Sequence, residues 1–198
     1  MSIILAGGKS SRMEEDKAFL KFEGRSLIEW VIAGLKEIGG EIIIVANEPE
    51  RFKSLGLKVV KDILPDKGPL VGLYSGLLSS HLEYNFVCGT DMPFLSPSLI
   101  KYMLDQKQGC DVILPRIGGR VEPLCAIYKR SCLSPIAEVI KEGGQLSLRS
   151  FFDRVKIRYI KEDEIIPFGL PEKLFFNINT REDMERARGL LEEKLCLA

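Results

Sequence analysis

Short apolar runs alternate with longer amphipathic stretches along most of the chain. Ser2-Ile3-Ile4-Leu5 has the length of one buried strand. Ser26-Leu27-Ile28-Glu29 has the S-x-x-E form of a helix capping box. Apolar residues then recur at Leu27, Ile28, Val31, Ile32, Leu35 and Ile38, the spacing of a helix packed on a sheet, and Gly39-Gly40 ends it. The β-branched run 41–46 predicts a second buried strand. Asn47-Glu48-Pro49 turns the chain into a short helix over 50–55, and Lys58-Val59-Val60 predicts a third strand ending at Asp62. A helix is expected over 70–80, with Gly72 and Gly76 permitting close packing, and a fourth strand over 85–89 runs into Thr90-Asp91. Ser96 then stands as N-cap with Pro97 at the first helical position, and 111–115 reads as a fifth strand.

The rhythm changes after Pro115. Gly118-Gly119 marks a turn and 124–128 a strand, expected together as an antiparallel or irregular insertion. Helices are expected over about 132–141 and 148–154, a last strand over 155–160, and a helix capped by Thr180-Arg181-Glu182-Asp183 and running to about Leu195. Repeated strand–helix alternation predicts an α/β fold: a Rossmann-like three-layer sandwich with a mostly parallel central sheet and helices on both faces. No repeat or linker divides the chain. The expectation is one domain over 1–198, with a nucleotide-binding half to about residue 106 and an acceptor-binding half from about 107.

Composition narrows the chemistry. The 198 residues suffice for a sizeable core, and 28 basic residues balance 28 acidic ones, so nothing favours a nucleic-acid surface. The five cysteines (Cys88, Cys110, Cys125, Cys132 and Cys196) contain no C-x-x-C pair and read as free thiols of a reducing, cytoplasmic setting. His81 is the only histidine, which argues against a zinc site or a histidine-based triad. No apolar run reaches membrane-span length.

The opening strand feeds directly into Ala6-Gly7-Gly8-Lys9-Ser10-Ser11-Arg12-Met13, followed by Glu14-Glu15-Asp16-Lys17. Glycines let the backbone approach a ligand closely, successive N–H groups form an anion-binding concavity, and Lys9, Arg12 and Lys17 add positive charge. The Walker pattern fails because its first glycine would fall on Ile3. The dinucleotide fingerprint fails because no glycine follows Gly8 until Gly24. What remains, L-A-G-G-x-S-x-R-M-x-x-D-K, resembles the loop of nucleotidyltransferases that take an NTP and release pyrophosphate. In an open α/β sheet ligands bind beyond the carboxyl ends of the strands. There Asp62 and Asp91 would join the loop, Asp91 as the Mg²⁺ ligand. Taken singly, each aspartate equally fits a turn-forming residue at a strand end.

The motifs Leu5–Lys17, Lys61-Asp62, Gly68-Pro69-Leu70-Val71-Gly72-Leu73 and Cys88-Gly89-Thr90-Asp91-Met92-Pro93 resemble, in order, those of the molybdenum cofactor guanylyltransferase family. The likeness continues through Arg120-Val121-Glu122-Pro123-Leu124-Cys125-Ala126 and Asn177-Ile178-Asn179-Thr180-Arg181-Glu182-Asp183, and departs at Glu14, where the family usually has glycine. The resemblance implies attack of molybdopterin, usually carrying molybdenum, on the α-phosphorus of GTP, with pyrophosphate leaving and a guanine dinucleotide cofactor forming. By the family pattern Leu5, Ala6 and Gly7, with Gly8 and Lys9 in the same loop, line the nucleotide. Lys17 contacts its phosphates, Asp62 the nucleoside and Asp91 the Mg²⁺. Arg12 and Lys9 are candidates for neutralising the leaving pyrophosphate. Arg116, Arg120 and Glu122, beside the glycine turn, and Asn177 and Asn179 are candidates for the pterin side. The two asparagines fit turns before a capped helix as well. Handover to proteins of molybdenum cofactor biosynthesis or to recipient molybdoenzymes is implied too. Cytidylyl transfer to the same acceptor, transfer to a sugar or polyol phosphate, and a non-catalytic GTP-binding delivery module remain the alternatives. Trp30, on a helix whose other apolar positions are core, is expected in the core too.

Overall fold

A strand apolar at every position can be covered only if both its faces are buried, and the sequence supplies several. The computed structural model describes residues 1–7, 17–64, 67–143 and 146–192. Its strands are β1 (Ser2–Leu5), β2 (Lys21–Phe22), β3 (Arg25–Ser26), β4 (Ile42–Ala46), β5 (Lys58–Lys61), β6 (Tyr84–Gly89), β7 (Val112–Ile117), β8 (Arg120–Val121), β9 (Cys125–Lys129) and β10 (Ile157–Lys161). Its helices are α1 (Leu27–Ile38), α2 (Pro69–Ser79), α3 (Pro97–Asp105), α4 (Leu133–Glu142), α5 (Glu162–Ile165), α6 (Pro171–Leu174) and α7 (Arg181–Glu192).

One sheet runs in the order β10-β7-β9-β6-β1-β4-β5, with β8 on β7, and among the described residues only β2 and β3 pair apart from it. β1 is parallel to both β4 and β6, β4 to β5, and β7 to β10, so the mostly parallel sheet is observed. Along β1, Ile3 and Leu5 join the cluster containing Leu70, Leu73 and Leu77 of α2 and Ile136 and Val139 of α4. Ile4, between them, joins the opposite cluster with Ile28, Val31 and Leu35 of α1 and Leu99 and Met103 of α3. That alternation gives the three layers. Gly76 lets α2 settle on β1, since a Cβ there would lie 2.7 Å from Ile3 Cγ2, whereas one on Gly72 would meet only ordinary contacts.

Several elements differ from expectation. The strand at 124–128 forms as β9 and is antiparallel, as expected, but it is a central strand of the main sheet, between β6 and β7, rather than an insertion. The expected helix over 148–154 is a turn followed by a 3₁₀ segment, Phe152–Arg154. Ser147 N–H donates to Ser150 Oγ there (3.2 Å), a local bond that competes with helix formation. The short helix after Pro49 is likewise 3₁₀. The hairpin β2–β3 was not expected: it turns through Glu23 (φ 47°) and Gly24 (φ 78°), and a left-handed glutamate is not a signal sequence reading looks for. Trp30 is half-buried rather than core, its Nε1 donating to the Phe22 carbonyl (2.8 Å). α7 is described to Glu192, so the expected end near Leu195 lies outside the described residues.

Candidate active site

The register places four strand ends on one edge. Leu5 lies opposite Val45 and Gly89, and Ala46 opposite Lys61. Immediately beyond them come Ala6-Gly7, Asn47, Asp62 and Thr90-Asp91. Ala6 N–H donates to the Val45 carbonyl (2.8 Å) and Asp62 N–H to the Ala46 carbonyl (3.1 Å), so each segment leaves its strand in register. Asp62 follows β5 and Asp91 follows β6, three strands apart, which at the usual strand spacing is roughly 14 Å. One Mg²⁺ does not span that gap. The two aspartates therefore stand at opposite ends of the edge, with the tips of β1 and β4 between them.

Asp91 is the meeting point. Lys17, in the 3₁₀ turn Lys17–Phe19, donates from Nζ to Asp91 Oδ2 (2.6 Å) and also to Asn179 Oδ1. Ile178 N–H donates to the Asp91 carbonyl (2.9 Å), which pins the Asn177–Asn179 segment to the tip of β6. A small apolar cluster holds this together: Leu20 and Phe22 beyond Lys17, Leu27 of α1, Ile178 and Ala187 of α7. Thr180 Oγ1 accepts from Asp183 N–H (3.1 Å), and Asp183 Oδ2 accepts from the N–H groups of Asn179 and Thr180 (both 2.9 Å). Burial pushes the Asp183 carboxyl up, but these hydrogen bonds and Arg186 more than offset it, and the group lies below its ordinary value. Gly89 matters to Asp91 directly: a Cβ there would sit 2.7 Å from Asp91 Oδ1.

At the other end Asp62 is 8% exposed. Ser75 Oγ, on α2, donates to its Oδ1 (2.9 Å) and accepts from Ile63 N–H (3.1 Å), and Leu64 N–H approaches the same Oδ1 at 3.4 Å. A Cβ on Gly72 would lie 3.6 Å from Oδ2. Leu5 is buried, Ala6 half-buried and Gly7 exposed, a graded exit from the sheet. Gly8, Lys9 and Arg12 lie outside the described residues.

The acceptor-side candidates divide. The reversed direction of β9 sets its first residue, Cys125, opposite Cys88 and brings Leu124 beside Gly89, while Glu122, just upstream, has its N–H on the Pro115 carbonyl (3.1 Å). Burial raises the Glu122 carboxyl, while Arg149 and Arg120 act to lower it. Arg149, which sequence reading missed, also donates to the Val121 carbonyl (3.2 Å). Arg116 pairs with Val121 and Ile117 with Arg120, so Arg116 and Arg120 face opposite sides of the hairpin. Arg116 lies over the Tyr159 ring at 5.4 Å, away from Glu122, so the expected grouping with Arg120 and Glu122 does not form. Asn179 reaches Lys17, but Asn177 bonds the Phe175 carbonyl (3.2 Å). Two other residues escaped notice. Asn47, at the tip of β4, has its Oδ1 3.8 Å from where a Cβ on Gly7 would be, and Ser75 is buried on α2. Position at a strand tip could have flagged Asn47; Ser75 had no sequence signal.

A cavity of about 720 Å³ between α1, α6 and the 93–98 segment, walled by Trp30, Phe94, Phe168 and Leu170, contains none of these groups. No described helix is long and apolar enough to cross a membrane. Burial raises the thiols of Cys88 and Cys125, the latter also beside Glu122, and burial together with Asp111 pushes Cys132 up to about 12. None of these three thiols is poised as a nucleophile.

Residues 2–158 match the model of the MobA-like NTP transferase domain. The chain belongs to that family. It is a nucleotidyltransferase, and among its relatives is a probable molybdenum cofactor guanylyltransferase from Pelotomaculum thermopropionicum, 36% identical over 96% of this chain and 92% of the relative. Another, from Natranaerobius thermophilus, is 39% identical over 96% and 95%. The crystal structure of molybdopterin-guanine dinucleotide biosynthesis protein A from Archaeoglobus fulgidus superposes with a TM-score of 0.83 at 25% identity, covering 98% of this chain and all of that one. Within the molybdenum cofactor guanylyltransferases, then, this chain brings Lys17, Asp91 and Asn179 to one point and sets Asp62 apart at the far end of the same edge.

Proposed function

We propose that the chain transfers the guanylyl group of GTP to the terminal phosphate of molybdopterin, releasing pyrophosphate and forming a guanine dinucleotide. The observation that carries this reading is the convergence of Lys17, Asp91 and the Asn177–Asn179 segment at one end of a strand-tip edge that also holds Ala6-Gly7. On this reading the charge-handling groups receive the triphosphate and the acceptor, and Asp62, with its Ser75 support, receives the nucleoside.

In the transfer an acceptor phosphate oxygen forms a bond to the α-phosphorus, and the bond to the bridging oxygen breaks as pyrophosphate leaves. Such chemistry depends on positioning and charge neutralisation. Lys17 is assigned to the phosphates, the backbone of Leu5, Ala6 and Gly7 to the nucleotide, and Glu122 with Asn179 to the acceptor side. Gly8, Lys9 and Arg12 belong to the proposal through the motif alone. Raised thiols leave Cys88 and Cys125 out of the reaction, which favours direct transfer. The donor set suits Mg²⁺ in that Asp91 offers a hard carboxylate oxygen at the end of β6. Magnesium accepts one or two carboxylates when phosphate oxygens complete its shell. Asp91 would hold it, and the ion would neutralise charge developing on the phosphates.

Pyrophosphate release from purified protein, Mg²⁺ and molybdopterin with GTP or CTP tests the reading. Faster release with CTP would reject guanylyl transfer. Asp91→Ala should leave almost no turnover while GTP binding weakens far less, and surviving turnover would remove Asp91 from the metal.

A further inference from the structure

The Lys17 ammonium carries three N–H donors, of which two are engaged by Asp91 Oδ2 and Asn179 Oδ1. Both partners of the ion pair are mostly covered, with side-chain exposures of 20% and 21%, so water screens the pair only partly. Asp91 is thereby neutralised at 2.6 Å by a charge of the protein's own. No described cluster of other ligating side chains stands ready to compensate for that neutralisation. A divalent cation arriving alone would have to displace Lys17 from Asp91 and give up hydration in exchange for that carboxylate. Magnesium dehydrates reluctantly, which makes that exchange unfavourable.

A triphosphate changes the balance. It offers Lys17 several anionic oxygens, while Asn179 Oδ1 keeps the ammonium in place as it turns away from Asp91. The segment that carries Asn179 is fixed to the Asp91 carbonyl through Ile178 N–H (2.9 Å), so this second acceptor does not drift. We propose that Lys17 occupies the place of the metal on Asp91 until nucleotide binds. The site then acquires its divalent ion only together with the triphosphate, by exchange of the Lys17–Asp91 pair for Lys17–phosphate and Asp91–metal pairs. The inference rests on the reading of Asp91 as metal ligand. It adds an order of loading and a role for Lys17 against the metal as well as towards the nucleotide.

The test titrates Mn²⁺, followed by its electron paramagnetic resonance signal, into the full chain with and without GTP. The wild type should bind Mn²⁺ weakly alone and at least tenfold more tightly with GTP, roughly what loss of a close, partly buried opposing charge allows. Lys17→Gln should bind nucleotide-free Mn²⁺ about fivefold or more tighter than the wild type, and adding Asp91→Asn should abolish that gain. Lys17→Met, isosteric along the stem, repeats the measurement should Lys17→Gln fold poorly. Equal nucleotide-free affinity in the wild type and both Lys17 variants would overturn the exchange, as would a gain that survives Asp91→Asn. If Asp91→Asn leaves Mn²⁺ binding unchanged even with GTP, the assignment of the metal to Asp91 fails instead, a result distinct from the other two.

Discussion

Individual side chains here are held by very local arrangements. Asp62 is nearly buried, and its Oδ1 depends on the Ser75 hydroxyl on α2. Ser75→Ala should cost about 1–2 kcal/mol of stability, the usual loss of a buried hydrogen bond that leaves its acceptor under-satisfied, measurable by urea unfolding. It should also raise KM for GTP more than it lowers kcat, because Asp62 is assigned to the nucleoside and not to the reacting phosphorus. An unchanged KM would detach Ser75 from the site. Gly89 acts at the other end. A methyl group there would sit 2.7 Å from Asp91 Oδ1, so Gly89→Ala should displace the carboxylate and reduce turnover at least tenfold while the fold survives, as circular dichroism would show. Asp62 and Asp91 stood out in the chain, but these supports did not. Gly89 looked like a strand end and Ser75 like one more small residue on a helix.

At the scale of elements, the start of α7 and the tip of β6 behave as one unit. Asp183 accepts from two backbone N–H groups, one of them on Asn179, whose side chain holds Lys17. Asp183→Ala should cost about 1 kcal/mol, the usual value of a helix cap, and should weaken nucleotide binding through the loosened Asn179. The pH dependence has a definite sign. The folded group lies below its ordinary value of 3.8, so its contribution is complete above that value and is lost as pH falls through the lower folded one. The stability gap between wild type and Asp183→Ala should therefore be constant at neutral pH and close only in strongly acid solution; a gap that closes between pH 5 and 7 would contradict the assignment. The packing of α2 on β1 is a second element-scale feature. Gly76→Ala should destabilise the fold by about 1–3 kcal/mol, since its methyl would meet Ile3 at 2.7 Å. Gly72→Ala should be milder, its contacts being ordinary ones.

Across the whole molecule, one sheet connects the two ends of the site, with the antiparallel β9 near its centre. Cys88 on β6 and Cys125 on β9 are directly paired and buried, Cys132 is buried nearby, and Cys110 is partly exposed. Thiol labelling of the native protein should therefore modify Cys110 readily, while Cys88, Cys125 and Cys132 react only at the rate at which the sheet opens. Peptide mapping after a short pulse distinguishes the sites, and prompt labelling of Cys125 would show that β9 opens independently. The central position of β9 also explains how Leu124 and Cys125, far along the chain, come to lie beside Gly89 and Cys88 at the end of β6.

Much of this architecture could be read from the sequence, for a physical reason. A strand buried on both faces must be apolar at every position, and a helix covering it must be apolar on one side, so the order of β1, α1, β4, β5, α2, β6 and α3 is written into local periodicity. The motifs that carry the family likeness, the opening turn among them, were also contiguous stretches of sequence. Direction, pairing and distance were not. Sequence pattern does not distinguish a strand that joins the sheet centre from one that lies aside, which is why β9 could be read as antiparallel but not as central. Turn chemistry was too weak to announce β2–β3, and serine hydrogen bonds diverted the expected helix near residue 150. The contact that organises the site, Lys17 to Asn179, spans 162 positions and exists only because Leu20, Phe22, Ile178 and Ala187 bury one another. Long-range apolar packing, which leaves no signature in any short stretch, decided where the chemistry would meet.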